Sequence, residues 1–168
     1  MGYHWFDSYA RIFSGKTEPE QRQVPMLLVA DLLNHKGRDV WSLAPDASVY
    51  EAIEQMAEKG IGATLIMEGE RLVGILSERD YARKVILKGR ASREVLVREI
   101  MSHPVICARP DHTIEQTMAL MTENHIRHLP VMAADRIVGV ISIGDVVRAV
   151  IEDKEFHIQQ LTKYISSG

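Results

Sequence analysis

Leu-Val-Gly-Ile-Leu-Ser-Glu-Arg-Asp, residues 72–80, recurs sixty-five positions later as Ile-Val-Gly-Val-Ile-Ser-Ile-Gly-Asp, residues 137–145. Each copy is an apolar run with a glycine inside it, closed by a serine and then, three residues on, an aspartate. A run this short and rich in Val and Ile reads as a buried strand. The serine reads as a helix N-cap, and the aspartate falls in the first turn of that helix. Each copy is therefore expected to be a strand feeding directly into a helix, with a hydroxyl and a carboxylate at the junction.

The repeat extends well beyond this core. Residues 45–86 lie over residues 110–151 without a gap, and 14 of the 42 pairs are identical, too many for chance. Among them are Pro45/Pro110, Met56/Met121, Ile61/Ile126, Arg71/Arg136, Gly74/Gly139, Ser77/Ser142, Asp80/Asp145 and Arg83/Arg148. Several other pairs, Val49/Ile114, Ile66/Val131, Ile75/Val140 and Leu76/Ile141 among them, exchange one apolar residue for another. The chain is an internal duplication, and that governs how its fold is read.

Composition fits this. A chain of 168 residues accommodates two half-size units. With 46% apolar and 26% charged residues it reads as soluble and globular. A net charge of −3 argues against nucleic acid as the main partner. The single cysteine, Cys107, excludes an intramolecular disulfide and points to a reducing compartment. No run reaches the roughly 18 apolar residues of a membrane span. No basic segment followed by an apolar core marks a signal peptide, so the expected location is the cytoplasm.

Taken in order, residues 1–25 read as an aromatic arm and linker. Tyr3, Trp5, Phe6, Tyr9 and Phe13 cluster there, with Phe6, Tyr9 and Phe13 at helical spacing. The first repeat is expected over residues 26–90. It comprises an apolar helix from Met26 to Leu33, a strand at Asp39–Leu43, and a helix opened by the capping box Ser48/Glu51 and stopped by Gly60. A hairpin, Ala63–Met67 with Leu72–Leu76, and the helix opened by Ser77 complete it. The second repeat, residues 91–153, matches it. Val95–Met101 opens it, Pro104–Cys107 is the first strand, and Thr113/Gln116 is the capping box. Strands at His128–Met132 and Arg136–Ile141 precede the last helix. That helix is expected to run on as an extension over residues 154–168, with no Gly or Pro to stop it before the final residue. The fold class is mixed α/β: two β-α-β-β-α repeats packed sheet to sheet about a pseudo-twofold axis. Units of this size are marginal alone. That symmetry implies two crevices between the lobes.

The combination of Val-Arg-Glu-Ile-Met (97–101), Arg-His-Leu-Pro-Val (127–131) and Gly-x-x-Ser-x-x-Asp in both copies resembles a tandem pair of CBS domains, the cystathionine-beta-synthase-type regulatory module. Residues 76–84 look like the small stand-alone bacterial members. The resemblance covers about residues 27–152. It implies a non-catalytic sensor that binds an adenine nucleotide in a crevice between the repeats, AMP first, with NAD, ATP or ADP as alternatives. It also implies a homodimer of stacked pairs. No catalytic cofactor, metal, nucleic acid or membrane is expected, and the sequence names no downstream protein partner. The alternative is a protein–protein interaction or dimerisation module with degenerate nucleotide sites.

A carboxylate can accept from both ribose hydroxyls. By the resemblance Asp80 and Asp145 take that role, with Ser77 and Ser142 beside them. Spacing alone leaves the Ser-x-x-Asp unit open between a ribose clamp and a plain helix cap. Phosphate requires cations, and the candidates are Arg79, Arg83, Lys84, Arg127 and His128, with Arg148 as the partner of Arg83. Gly62 and Ala63 stand opposite Arg127 and His128, and Gly144 opposite Arg79, so the crevices are not equivalent. One better site is expected, its phosphate held from both repeats. Val40-Trp41, Val105-Ile106, Leu129 and Pro130 are the family's walls for adenine, unless they are plain core. Trp41 is large enough to stack on a base or to block the slot.

Other chemistry fits poorly. His125 and His128 lack further ligands for zinc. Ser77 is in no Gly-x-Ser-x-Gly elbow. No phosphate-binding Gly-x-x-x-x-Gly-Lys-Ser/Thr loop is present. Cys107 reads as a small buried filler.

Overall fold

The structure, a computed structural model, describes residues 26–166. The aromatic arm and its expected helix lie outside these residues. The elements are α1 (Val29–Lys36), β1 (Ser42–Leu43), α2 (Val49–Lys59), β2 (Ala63–Glu68), β3 (Arg71–Ser77), α3 (Glu78–Lys84), α4 (Val97–Ile100), α5 (Ile114–Glu123), β4 (His128–Ala133), β5 (Arg136–Ser142) and α6 (Ile143–Ser166). A 3-10 turn at Ile86–Lys88 follows α3 and ends at Gly89.

Local chemistry sets the boundaries. The Ser48 hydroxyl accepts from the Glu51 N–H at 3.2 Å, and the Glu51 carboxylate accepts from the Ser48 N–H at 2.7 Å. Thr113 and Gln116 repeat the exchange at the start of α5. Each box satisfies backbone donors that a helix start leaves open. Gly60 ends α2 in the left-handed conformation, φ 63°. The two hairpins match down to their irregularities. β2 and β3 pair antiparallel with a register shift at Ile66/Met67, and β4 and β5 do so at the equivalent Val131/Met132.

The first strand of each repeat is shorter than expected. β1 has two residues and pairs parallel with β2, Ser42 to Leu65 and Leu43 to Ile66. Pro104–Cys107 forms no strand, and only the bridge Ala108–Val131 survives. The cause lies across the ladder. In the first repeat the Leu65 N–H donates to the Trp41 carbonyl at 3.1 Å. Its counterpart in the second repeat is Pro130, which has no N–H to give. The pairing therefore shrinks to Ala108, which donates to Pro130 O and accepts from Met132 N, both at 2.9 Å.

The cores are exchanged between repeats. Val97 and Ile100 of α4, with Val95 ahead of them, pack with Val49, Ala52, Met56, Ile66 and Leu76 of the first repeat. Val29, Leu32 and Leu33 of α1 pack with Ile114, Met121, Leu129, Val131 and Ile141 of the second. Backbone bonds fix both insertions: Val97 N–H to Ala47 O and Val49 N–H to Val95 O, each at 2.8 Å, and Val29 N–H to His112 O and Ile114 N–H to Leu27 O, each at 3.0 Å. The segments that open the repeats are equivalent, as expected, but each completes the other repeat's core.

These insertions explain the motif glycines. A Cβ at Gly139 would stand 2.6 Å from Leu33 Cδ2, and one at Gly74 would stand 2.3 Å from Met101 Sδ. The inserted helix lies directly on the strand, where any side chain would push it away.

The second face of each sheet is covered as well. Ala63, Thr64, Leu65 and Ile66 are consecutive buried residues of β2, as are Leu129, Pro130 and Val131 of β4. A strand with one solvated face would alternate. Ile66, Leu129 and Val131 face the helical cores, whereas Leu65 and Pro130 have the opposite parity and are buried on the other face.

Gly139→Ala overpacks this contact and is expected to destabilise the protein by about 1–3 kcal/mol in urea unfolding. Because Leu33 is the atom in the way, Leu33→Ala in the same chain should cost less than the two single changes added together. Strict additivity would show that the close approach is not the source of the loss.

Candidate ligand crevices between the repeats

Both strand-to-helix junctions open onto a crevice. The first is built around Asp80. Ser77, Glu78, Arg79 and Arg83 come from the first repeat, Asn124, His125, Arg127 and His128 from the second, and Ser102 from the segment after α4. The cavity is about 410 Å³. The second surrounds Asp145 and Ser142. It takes Trp41, Lys59, Ile61 and Ala63 from the first repeat, with Lys36 at the end of α1, and is about 340 Å³. Both volumes fall within the range typical of small-molecule sites, about 300–1,000 Å³.

The aspartates carry the same local arrangement. Asp80 Oδ2 accepts from the Ser77 N–H at 3.1 Å and its hydroxyl at 2.6 Å, and the Asp80 N–H returns to Ser77 Oγ at 3.3 Å. Asp145 and Ser142 do the same at 2.8, 2.7 and 3.2 Å. The helix cap is thus real at both junctions. It holds each carboxylate in place whether or not anything occupies the crevice.

Each aspartate also holds a lysine, from unrelated positions. Lys84 Nζ, one turn along α3, lies 2.8 Å from Asp80 Oδ1 and donates to Ile100 O at 2.7 Å. Ser102 donates to the same Oδ1 at 3.2 Å. Lys36 reaches across from α1 to Asp145 Oδ2 and to Val140 O. Burial alone would raise both carboxyl pKa values. The hydrogen bonds from Lys84 and Ser77, and from Lys36 and Ser142, outweigh it and hold both below the ordinary aspartate value.

The cations are divided unequally. Arg79, Arg83, Arg127, His125 and His128 line the Asp80 crevice, and Arg79 Nη1 spans it to the His125 carbonyl at 3.1 Å. The Asp145 crevice has Lys36, Lys59 and His128, and Lys59 Nζ sits over the Trp41 ring, 4.3 Å from its centroid. His128 and Gly62 line both crevices. A Cβ at Gly62 would come within 3.1 Å of the His128 ring, so a side chain here, in the position equivalent to Arg127, would require the ring to shift. Burial first, and then the Lys36 charge, push the His128 pKa below its ordinary value against the pull of Asp145 and Glu78.

The structure brings together Ser77, Asp80, Arg79, Arg83, Arg127 and His128 in one crevice, and Ser142, Asp145, Trp41 and His128 in the other. Lys84, read from the sequence as a phosphate ligand, is instead engaged by Asp80 and Ile100. Arg148 lines an outer cleft between α1 and α6. Leu129, read as an adenine wall, is instead fully buried in the second core, with Ile106 packed against that core. Pro130 is buried too, and Val40 and Val105 are half-buried; none of these lines either crevice. Sequence reasoning missed Lys36, Lys59, Ser102 and Asn124. Nothing local marks them, because they reach the crevices only through the exchange of helices and the apposition of the repeats. Among the described residues, no group of three or more His, Cys, Asp or Glu side chains is placed to hold a metal ion. No helix there is long and apolar enough to cross a membrane.

Comparison with known proteins agrees with the duplication. A protein-family model described as CBS domain matches residues 29–86 and again residues 97–152. The chain is similar to the CBS domain-containing protein CBSX3, mitochondrial, of Arabidopsis thaliana, with 35% identity across 92% of this chain and 81% of that protein. It is similar to the structure of a putative signal-transduction protein with CBS domains from Burkholderia ambifaria, with 46% identity, a TM-score of 0.73, and coverage of 75% of this chain and 95% of that one. It also resembles the CBS domain pair of protein MJ0100 in complex with 5′-methylthioadenosine and S-adenosyl-L-methionine, at 26% identity, a TM-score of 0.67, and coverage of 75% and 97%.

The depressed His128 pKa makes a linkage prediction. The unfolded chain takes up this proton near the ordinary value of 6.5, and the folded chain only at lower pH. The stability held by neutral His128 is therefore fully present above pH 6.5 and is lost as pH falls through the folded value. Urea midpoints at pH 8 and pH 5.5 should differ less in His128→Asn than in the parent; an identical slope would remove His128 as the cause.

Proposed function

The chain belongs to the CBS domain family, carrying two copies of the domain, and from that premise we propose that it is a non-catalytic sensor of an adenine nucleotide held in the Asp80 crevice. Proteins built of CBS domain pairs are generally regulatory. The observation that carries the reading is the meeting, in one crevice, of the Ser77–Asp80 pair with Arg79, Arg83, Arg127 and His128 from both repeats. A ribose diol replaces Lys84 and Ser102 at Asp80 Oδ1, and the guanidinium groups of Arg79, Arg83 and Arg127 face the phosphate. The MJ0100 pair, with two adenosyl ligands, supports this chemistry. AMP is the first candidate, and NAD, ADP and ATP follow.

The Asp145 crevice is the weaker site in this reading. It has fewer cations, and Lys59 already lies over a face of Trp41 on which a base could stack. Binding ties the two repeats together, and its regulatory reach is bounded by the difference in affinity between their arrangements. The pairs stack as a homodimer, and the single Cys107 fits the reducing cytoplasm.

A thermal-unfolding panel with AMP, ADP, ATP, NAD, NADH and S-adenosylmethionine tests this. A ligand that binds only the folded chain stabilises it by about 2.7 kcal/mol at a hundredfold excess over Kd. Asp80→Ala should weaken the responding ligand about ten- to a hundredfold, equivalent to about 1.5–3 kcal/mol, and more than Asp145→Ala does. No shift with any ligand at millimolar concentration, on protein that mass spectrometry finds ligand-free, would sink the sensor and favour the interaction module.

A further inference from the structure

The cleft between α1 and α6 belongs to neither crevice. It is about 550 Å³, larger than both of them. The Lys36–Asp145 ion pair lines this cleft and the Asp145 crevice alike, as the wall they share. Arg148 and His35 stand at that end. One to two turns further along α6 come Glu152, Asp153 and Phe156, and Leu27, Leu32 and Ala149 complete an apolar lining. Phe156 is 58% exposed there. The duplication does not supply this cleft. In the first repeat Lys84 stands in the position of Ala149 and reaches from α3 to Ile100 O on α4, the counterpart of α1. Helix α3 ends at that residue. In the second repeat Ala149 leaves the place open, and α6 runs on to Ser166.

We infer that this cleft is the docking site of the chain's own N-terminal arm, with the aromatic side chains between Trp5 and Phe13 set against its apolar lining. The arm ends where the cleft begins, since Leu27 lines it and Met26 beside it is 70% exposed. Tyr3, Trp5, Phe6, Tyr9 and Phe13 are half of the aromatic residues in the chain. Rings of this kind gain most from an apolar surface, about 150–250 Å² buried for each. Residues 14–25 connect Phe13 to Met26 and reach about 40 Å at full extension, so the aromatic run returns to the cleft without a taut connection. A tether this short gives an effective concentration of the order of millimolar, enough for a contact that would not hold a separate peptide. Charge agrees. Arg11 and Lys16 outnumber Asp7 in the segment around the rings, and Glu152 and Asp153 line the α6 side of the cleft. The arm and the cleft both lie outside the duplicated region, so each lacks a counterpart in the other half. The docking does not depend on the nucleotide reading.

The test uses the full chain in a Cys107→Ser background, with a nitroxide attached at Ser14→Cys. Amide signals of α1, and of α6 from Arg148 to His157, are expected to lose most of their intensity, and to lose more than those of α3. Isotope-labelled chains without a nitroxide, mixed with unlabelled chains that carry one, should show no such loss. Ala149→Lys puts into the cleft the side chain that the first repeat has in that position, and Phe156→Ser removes an exposed ring without touching either core. Each should restore most of the intensity while circular dichroism stays unchanged. Absent or evenly spread loss in the parent would overturn the inference. Loss in the mixed sample would mean that the arm docks on a second copy, and loss that survives both variants would put it on another surface. Either result would overturn docking in the chain's own cleft.

Discussion

The close approach of each inserted helix to a bare strand is the contact on which the rest of the structure depends. Leu33 lies on Gly139 and Met101 lies on Gly74, at distances that admit no Cβ. Through these contacts α1 closes the core of the second repeat and α4 closes the core of the first. Neither repeat holds a complete core of its own, and a unit of about 60 residues has little stability to spare. Exchange makes the two halves one cooperative body. The crevices lie where the two repeats meet, each lined by residues from both.

The crevices inherit their backbone from the duplication and their chemistry from its divergence. The same Ser-x-x-Asp cap stands at both junctions, so both carboxylates are held in the same way and both are kept ionised by the bonds they accept. The surroundings differ. Lys84 belongs to the helix that Asp80 caps, whereas Lys36 arrives on the exchanged helix α1, 109 residues from Asp145 in sequence. Around Asp80 the guanidinium groups converge from both repeats, and around Asp145 an indole carries an ammonium on its face. His128 stands between them against Gly62 and lines both, and its burial favours the neutral ring.

Much of this was legible in the residues. The capping boxes at Ser48 and Thr113, the stop at Gly60, both hairpins and the long last helix form as the local chemistry predicts. The candidate site was legible as far as its repeated part, the Ser–Asp pairs, and the cations Arg79, Arg83 and Arg127. Leu129 was misplaced because a strand's parity decides which face a residue joins, and the resemblance gave the strand without the face. The expected strand at Pro104–Cys107 failed because its would-be partner, Pro130, offers no donor. That fact sits in the sequence but matters only once the register is known.

What the sequence determined by itself is therefore the duplication, the order of elements and the two capped carboxylates, because each rests on spacing within a turn or a strand. Only the tertiary structure decided which core each opening helix enters, which lysine holds which aspartate, and which crevice gathers the arginines. Those outcomes rest on contacts between residues far apart along the chain, where packing against a bare glycine, not local periodicity, selects the partner.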